Sequence, residues 1–175
     1  MKSFTFTFIF IYCWCFNAVF AQNADKDAYN ASYELGAHIG NILPNQVPGA
    51  SEIQPQWGLR LGFGLGGSGT TEFTANAGNG EGVMWKQASI SVRMDMPIEE
   101  LVGQVFIGGD ITMYETQTQA AKTFGGGHVG GGVMSLISRD LWFRVDMKFN
   151  INPGTSLFIG GGFLFRFGSE SGGGE

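Results

Sequence analysis

Cysteine is almost missing from this chain of 175 residues: the two present, Cys13 and Cys15, both lie in the first 21 positions. A chain that loses that segment keeps no cysteine and cannot be a disulfide scaffold. Basic residues are also scarce, 10 Lys and Arg against 15 Asp and Glu, which leaves no electrostatic footprint for nucleic acid. Beyond Ala21 no apolar run approaches the ~18 residues of a spanning helix, so any membrane insertion has to be by strands. The 5 prolines fall between the patterned segments and not inside them. Histidine and cysteine show no metal-ligand spacing, and no cofactor motif survives inspection. Gly64, Gly66 and Gly69 spell GxGxxG, but a strand pattern follows where a phosphate-binding helix would have to open.

What is abundant is glycine, 29 residues, and aromatics, 14% of the chain. Glycine without a collagen period, set inside alternating segments, points to strands that bend or pack closely. The N-terminus has the form of a secretory signal peptide over residues 1–21. Lys2 is the positive flank, Phe4 to Val19 the apolar run, and Val19-Phe20-Ala21 the cleavage site before Gln22. A lipoprotein start at Cys13 or Cys15 is disfavoured by the bulky Tyr12 and Trp14 before them. Removing residues 1–21 from 175 leaves 154, enough for one domain, and 9 basic against 15 acidic residues once Lys2 is gone. The expected organisation is a signal peptide at 1–21, a polar arm at 22–32, one domain at 33–167 and a polar tail at 168–175.

Eight segments alternate with period two, the signature of strands with one apolar and one polar face. They begin with Tyr33 to Ile39, Trp57 to Leu65, Thr71 to Ala77 and Met84 to Met96. Val105 to Tyr114, Phe124 to Ile137, Leu141 to Asn150 and Thr155 to Phe167 complete the set. The sixth, with GGGHVGGG, is the least legible; Val129, Val133 and Ile137 are assigned outward, and the glycines are expected beside a luminal ring such as Trp142. The segment Asn41 to Gln56, with Pro44, Pro48 and Pro55, reads as a long connection. Gly78 to Gly82 reads as a turn and Thr116 to Thr123 as a loop. Each strand is followed by its neighbour, so the fold class is all-β, an eight-stranded up-and-down antiparallel barrel.

Whether the apolar face points in or out is decided by the other face. It carries Glu34, Glu72, Asp95, Asp110 and Asp146 against Arg60, Arg93, Arg144, Lys148 and Arg166, five of each sign. A narrow enclosed lumen has to balance its charges, because unpaired buried ions are very costly. The opposite parity is free of charge along the strands except for Lys86, near one end, where a long side chain can snorkel. Tyr33, Phe165 and Phe167 at one rim and Trp57 and Phe149 near the other make aromatic girdles. The barrel is therefore transmembrane, its outer surface meets outer-membrane lipid, and its longer loops lie on the outer side. Glu34 with Arg166, and Glu72 with Arg93, are the expected ion pairs, with Arg144 drawn to a remaining carboxylate.

From Tyr33 to Phe167 the chain resembles the small outer-membrane β-barrel proteins of Gram-negative bacteria, the group of the OmpA transmembrane domain and OmpX. The closing stretch Gly160-Gly161-Gly162-Phe163-Leu164-Phe165-Arg166-Phe167 is similar to that group's C-terminal assembly signal. The resemblance implies that Gly162, Phe165 and Phe167 are read by the barrel assembly machinery, that the protein sits in the outer membrane, and that the last aromatic closes the chain; here Gly168 to Glu175 extends past it. No peptidoglycan-binding domain follows.

The function expected is structural or surface-interacting, with an unknown partner at the outer loops, no cofactor and no enzymatic activity. The alternative is a narrow pore, although eight strands leave an interior that side chains can just fill. A barrel lipid hydrolase using His38 or His128 with Ser135 is the third reading. Ser135 and His128 have opposite parity, which sets them on different faces of the wall.

Overall fold

The computed structural model describes residues 31–169 except 48, 49, 51, 52, 81, 118 and 153. The expected signal peptide, most of the arm and the last six residues of the tail lie outside the described residues. Eight strands form one closed barrel in chain order. They are β1 (Ala31–Asn45), β2 (Gln54–Gly64), β3 (Gly69–Gly80), β4 (Val83–Ile98), β5 (Leu101–Thr116), β6 (Gln119–Ser138), β7 (Leu141–Ile151) and β8 (Thr155–Ser169). Every neighbouring pair is antiparallel, and β1 closes on β8 through a register running from Ala31↔Ser169 to Asn45↔Thr155.

The wall is inside out with respect to a soluble barrel. Ile39, Trp57, Leu59, Ile107, Ile111 and Met147 are more than half exposed on the outside, while all ten expected luminal ions are buried. An exterior of this kind is stable only against hydrocarbon, which makes the fold a transmembrane barrel. At one rim Phe167 stacks on Tyr33, Tyr33 meets Phe63 edge-on, and Phe63 meets Phe73 in the same way. Val129 and Val133 face outward as expected. Ile137 does not join them cleanly: a bulge between Leu136 and Ser138 interrupts the β6–β7 register and leaves it half-buried.

Three expectations from the sequence are corrected. First, Asn41 to Gln56 is not one long connection, because β1 runs on to Asn45 and β2 starts at Gln54. Pro44 and Pro55 lie inside these strands, and Pro97 inside β4. Each stands where the strand has a partner on one side only, since β1–β2 pairing ends at Ile42↔Gln54, β2–β3 at Gln56↔Gly78 and β3–β4 at Gly69↔Met94. A missing N–H is tolerated on such an edge, so proline does not end the strand there.

Second, the outer connections are not long. Only residues 81–82, 117–118 and 152–154 separate β3 from β4, β5 from β6 and β7 from β8, so the Gly78 to Gly82 turn and the Thr116 to Thr123 loop are mostly strand. The β1–β2 connection, residues 46–53, is the single longer one. Third, the ring beside the β6 glycines is Phe106 and not Trp142. A Cβ on Gly130 would lie 2.4 Å from Phe106 Cζ.

Val145 pairs with Val133 and Gly161 in the middle of the outward wall. Val145→Arg should lower the unfolding free energy in lipid by about 2–4 kcal/mol, read from urea titration of the refolded protein in vesicles. An unchanged midpoint would mean that this face does not meet hydrocarbon.

Candidate functional site

Strand alternation delivers one polar side chain per two residues to the lumen, and the structure joins most of the expected ions into a single network. Arg93 on β4, fully buried, is its centre. Its Nη1 donates to Glu34 (2.8 Å) and Glu72 (2.9 Å), its Nη2 to Glu34 (2.6 Å), and its Nε to Asp95 (2.7 Å). Arg144 on β7 shares Glu72 and also donates to Asp146 at 2.7 Å. Arg60 on β2 donates to the other oxygen of Asp146, also at 2.7 Å. Arg166 on β8 lies 2.9 Å from Glu34 and 3.1 Å from Asp95, with its guanidinium over the Trp142 ring.

Both expected pairs, Glu34 with Arg166 and Glu72 with Arg93, are thus in contact, and Glu34 and Arg166 are direct register partners. Bidentate guanidinium contacts across the lumen from β4 to β1 and from β7 to β3 tie opposite walls together.

Two expected members stand apart from this network. Lys148 donates to Gln87 (2.8 Å), within a polar layer that includes Asn76, Asn150 and Thr112. Asp110 faces His128 instead, and here the structure shows what the sequence reading missed. Ser91 Oγ is 2.8 Å from His128 Nε2, and His128 Nδ1 is 3.1 Å from Asp110 Oδ2.

That is the order of a nucleophile, base and carboxylate relay, assembled from β4, β6 and β5. Ser135, the nucleophile weighed from the sequence, is not brought to His128; it pairs with Leu101 and Phe143 along the wall. Inward-facing glycines make room for the relay. A Cβ on Gly108 would stand 2.0 Å from Ile90 O and 2.8 Å from His128 Nε2. His38 forms a similar relay, accepting from Arg60 Nε at 3.3 Å on Nδ1 and therefore donating from Nε2 to Asn76 at 2.8 Å.

The polar interior is sealed at both ends. At the end that carries the β1–β2 connection Ile42, Val83, Trp85 and Tyr114 pack with Val47 and Ala50 of that connection. Trp85, Tyr114 and Phe124 stack in series. At the opposite end Val102, Met134, Trp142 and Leu164 form a second apolar cluster. Between them Ser91 borders an internal cavity of about 20 Å³, lined also by His38, Arg60, Lys148 and Phe158. That is room for roughly one water. Through its hydrogen bonds the relay ties three strands together, β4, β5 and β6.

No family model and no curated protein sequence matches the chain. Among solved structures it is similar to Neisserial surface protein A (TM-score 0.69, 9% identity), covering 78% of this chain and 98% of that one. It is also similar to the N-terminal β-barrel domain of Pseudomonas aeruginosa OprF (TM-score 0.63, 11% identity), covering 78% and 98%. The outer membrane protein OprG of the same organism matches with TM-score 0.59 and 10% identity, over 82% of this chain and 99% of that one.

Removing Arg93 takes the shared cation from Glu34, Glu72 and Asp95 and leaves only Arg166 and Arg144 to hold three buried carboxylates, so Arg93→Met should cost about 3–5 kcal/mol. A double-mutant cycle of Glu34→Gln with Arg166→Met should show coupling above the ~0.5 kcal/mol of independent sites. Both are read from unfolding in lipid; additive effects in the cycle would deny the contact across the β1–β8 closure. With strand order, register and inverted wall all in place, the chain has the fold of the small eight-stranded outer-membrane β-barrels.

Proposed function

We propose that the protein resides in the outer membrane as a closed structural barrel with a surface-contact role, and that it conducts no solute. The observation that carries this reading is the lumen: an ionic network that ties opposite walls together, closed above and below by apolar side chains. A pore needs a continuous hydrated path, and buried side chains take up that path. The rival reading of a narrow channel would require the Trp85 cluster, the Arg93 network and the Trp142 cluster to open together.

Surface contact cannot rest on several long outer loops, because three of the four outer connections are only two or three residues long. The tall wall of β5 and β6 offers the surface in their place. β6 has 20 residues, which at ~3.3 Å each and a tilt of ~40° rises about 50 Å, against a lipid band of ~25 Å. The exposed Ala120, Ala121, Lys122 and Thr123 stand at its outer end. The partner they would meet is a surface molecule of unspecified class, joined by the exposed Gln46 and Ile53 of the β1–β2 connection.

Insertion by the assembly machinery is part of the same reading. Phe165 and Phe167 face outward at the lower rim, half exposed. Gly162 is required by packing as well, since a Cβ there would stand 2.1 Å from Ala37 O. In fractionated cells Phe167→Ala should lower the heat-modifiable, folded population in the outer membrane more than deletion of residues 170–175; the reverse order would remove the signal from this stretch. In planar bilayers the purified protein should give no discrete conductance steps. Stable, voltage-independent steps would overturn the filled-lumen role and favour the channel.

A further inference from the structure

The outward wall is almost free of charge, and its two exceptions are neighbours. Among the described strand residues with outward parity the ions are Lys86 on β4 and Glu115 on β5. Lys86 is level with Met113, and Glu115 with Met84, so the two are diagonal neighbours, with the carboxylate on the side away from the membrane. Lys86 also lies on one cross-strand row with Ala77 and, through it, Trp57 of the outer aromatic girdle. A lysine at that height reaches headgroup phosphates by extending its stem along the wall.

Directly below Lys86 the wall is hollow. An open depression of about 650 Å³ is lined mainly by Phe73, Ala88, Ile90, Ile111 and the glycines 109, 125 and 126, together with Ser89 and the relay carboxylate Asp110. Ala88 and Ile90 are the next two outward residues of the strand that carries Lys86. At ~3.3 Å per residue, Ile90 lies about 13 Å further into the membrane than Lys86, before strand tilt is considered. The depression exists because of glycines that the fold does not demand. A Cβ on Gly125 would meet nothing within 4 Å, and one on Gly109 only Gly126 O at 3.7 Å. Their inward neighbours differ sharply: a Cβ on Gly108 or Gly126 would strike backbone oxygens at 2.0 and 2.3 Å. The inward glycines are explained by the relay they accommodate. The outward pair keeps a hollow open toward lipid.

We propose that this sector of the wall is a binding site for a phosphorylated, acylated lipid of the outer leaflet. An acyl chain occupies the depression between Phe73 and Gly125, and the headgroup phosphate is held by Lys86. The occupant is of the lipid A type, because the cation stands at the outer rim, where that class supplies the phosphates. The chemistry divides the contact in two. The mainly apolar hollow supplies area, the single ammonium among the described outward strand residues supplies selectivity for an anion, and Glu115, further out, faces headgroup amines or bridging divalent cations. This inference rests on the outer-membrane placement proposed above, with the β1–β2 side of the barrel outward.

The test uses the full refolded protein in detergent, titrated with three probes: lipid A bearing its two phosphates, the same lipid dephosphorylated, and phosphatidylglycerol. Native mass spectrometry reads the bound lipid, and heat-modifiable migration confirms that every variant is folded. Lipid A should bind in preference to the other two. Lys86→Gln should weaken it about fivefold, the effect of one lysine beside an anionic lipid surface, and leave binding of the dephosphorylated lipid unchanged. Gly125→Leu and Gly109→Leu, whose Cβ atoms would meet nothing nearer than 3.7 Å, should weaken both forms of the lipid.

Equal binding by wild type, Lys86→Gln and either leucine variant would overturn the site. So would phosphatidylglycerol binding as tightly as lipid A. Fractionation of the wild type to the outer membrane, scored separately, keeps a failure of the site distinct from a failure of the placement.

Discussion

The interior is organised by one guanidinium. Arg93 could not be buried in a barrel of this width without several carboxylates at hydrogen-bond distance, since an isolated ion in such surroundings costs far more than the whole fold is worth. Glu34, Glu72 and Asp95 meet that requirement from β1, β3 and β4. Those carboxylates then need further cations, which Arg144 and Arg166 supply, and Asp146 brings in Arg60. Each strand that contributes an ion has its parity fixed, because a slip of one residue would carry the ion into lipid. The network therefore ties the register of these strands to ion placement, the best attested use of buried ion pairs.

Much of the architecture was legible because a two-residue period does not depend on tertiary detail. Strand number, order, the outward set apart from Ile137, and the Glu34–Arg166 closure all follow from alternation and from the geometry of an up-and-down barrel. What alternation cannot report is reach across the lumen. Nothing in the spacing of Arg93 and Glu34, 59 residues apart, says that they meet, because that depends on shear and on side-chain length. Ser91 was illegible for a related reason: it reads as one more small polar residue of β4, and only the shear of the closed barrel puts it beside His128. A parity comparison of every serine with His128, and not of Ser135 alone, would have raised it.

Prolines misled at the connections. Their cost depends on whether a second strand lies alongside, which is a property of rim stagger and not of local sequence. The loops followed from that error. With Pro44, Pro55 and Pro97 reassigned to strands, the apparent connections shrink and the wall grows taller than expected.

The same stagger leaves short lengths of β1, β2 and β4 with hydrogen-bonding groups turned to open space at the rims. Such edges are templates on which a strand from another chain can add, and a crowded membrane brings many barrels side by side. A proline on each of these free edges removes a donor where strand addition would need one. Proline on a sheet edge is one of the devices by which natural strands are kept from edge-to-edge association.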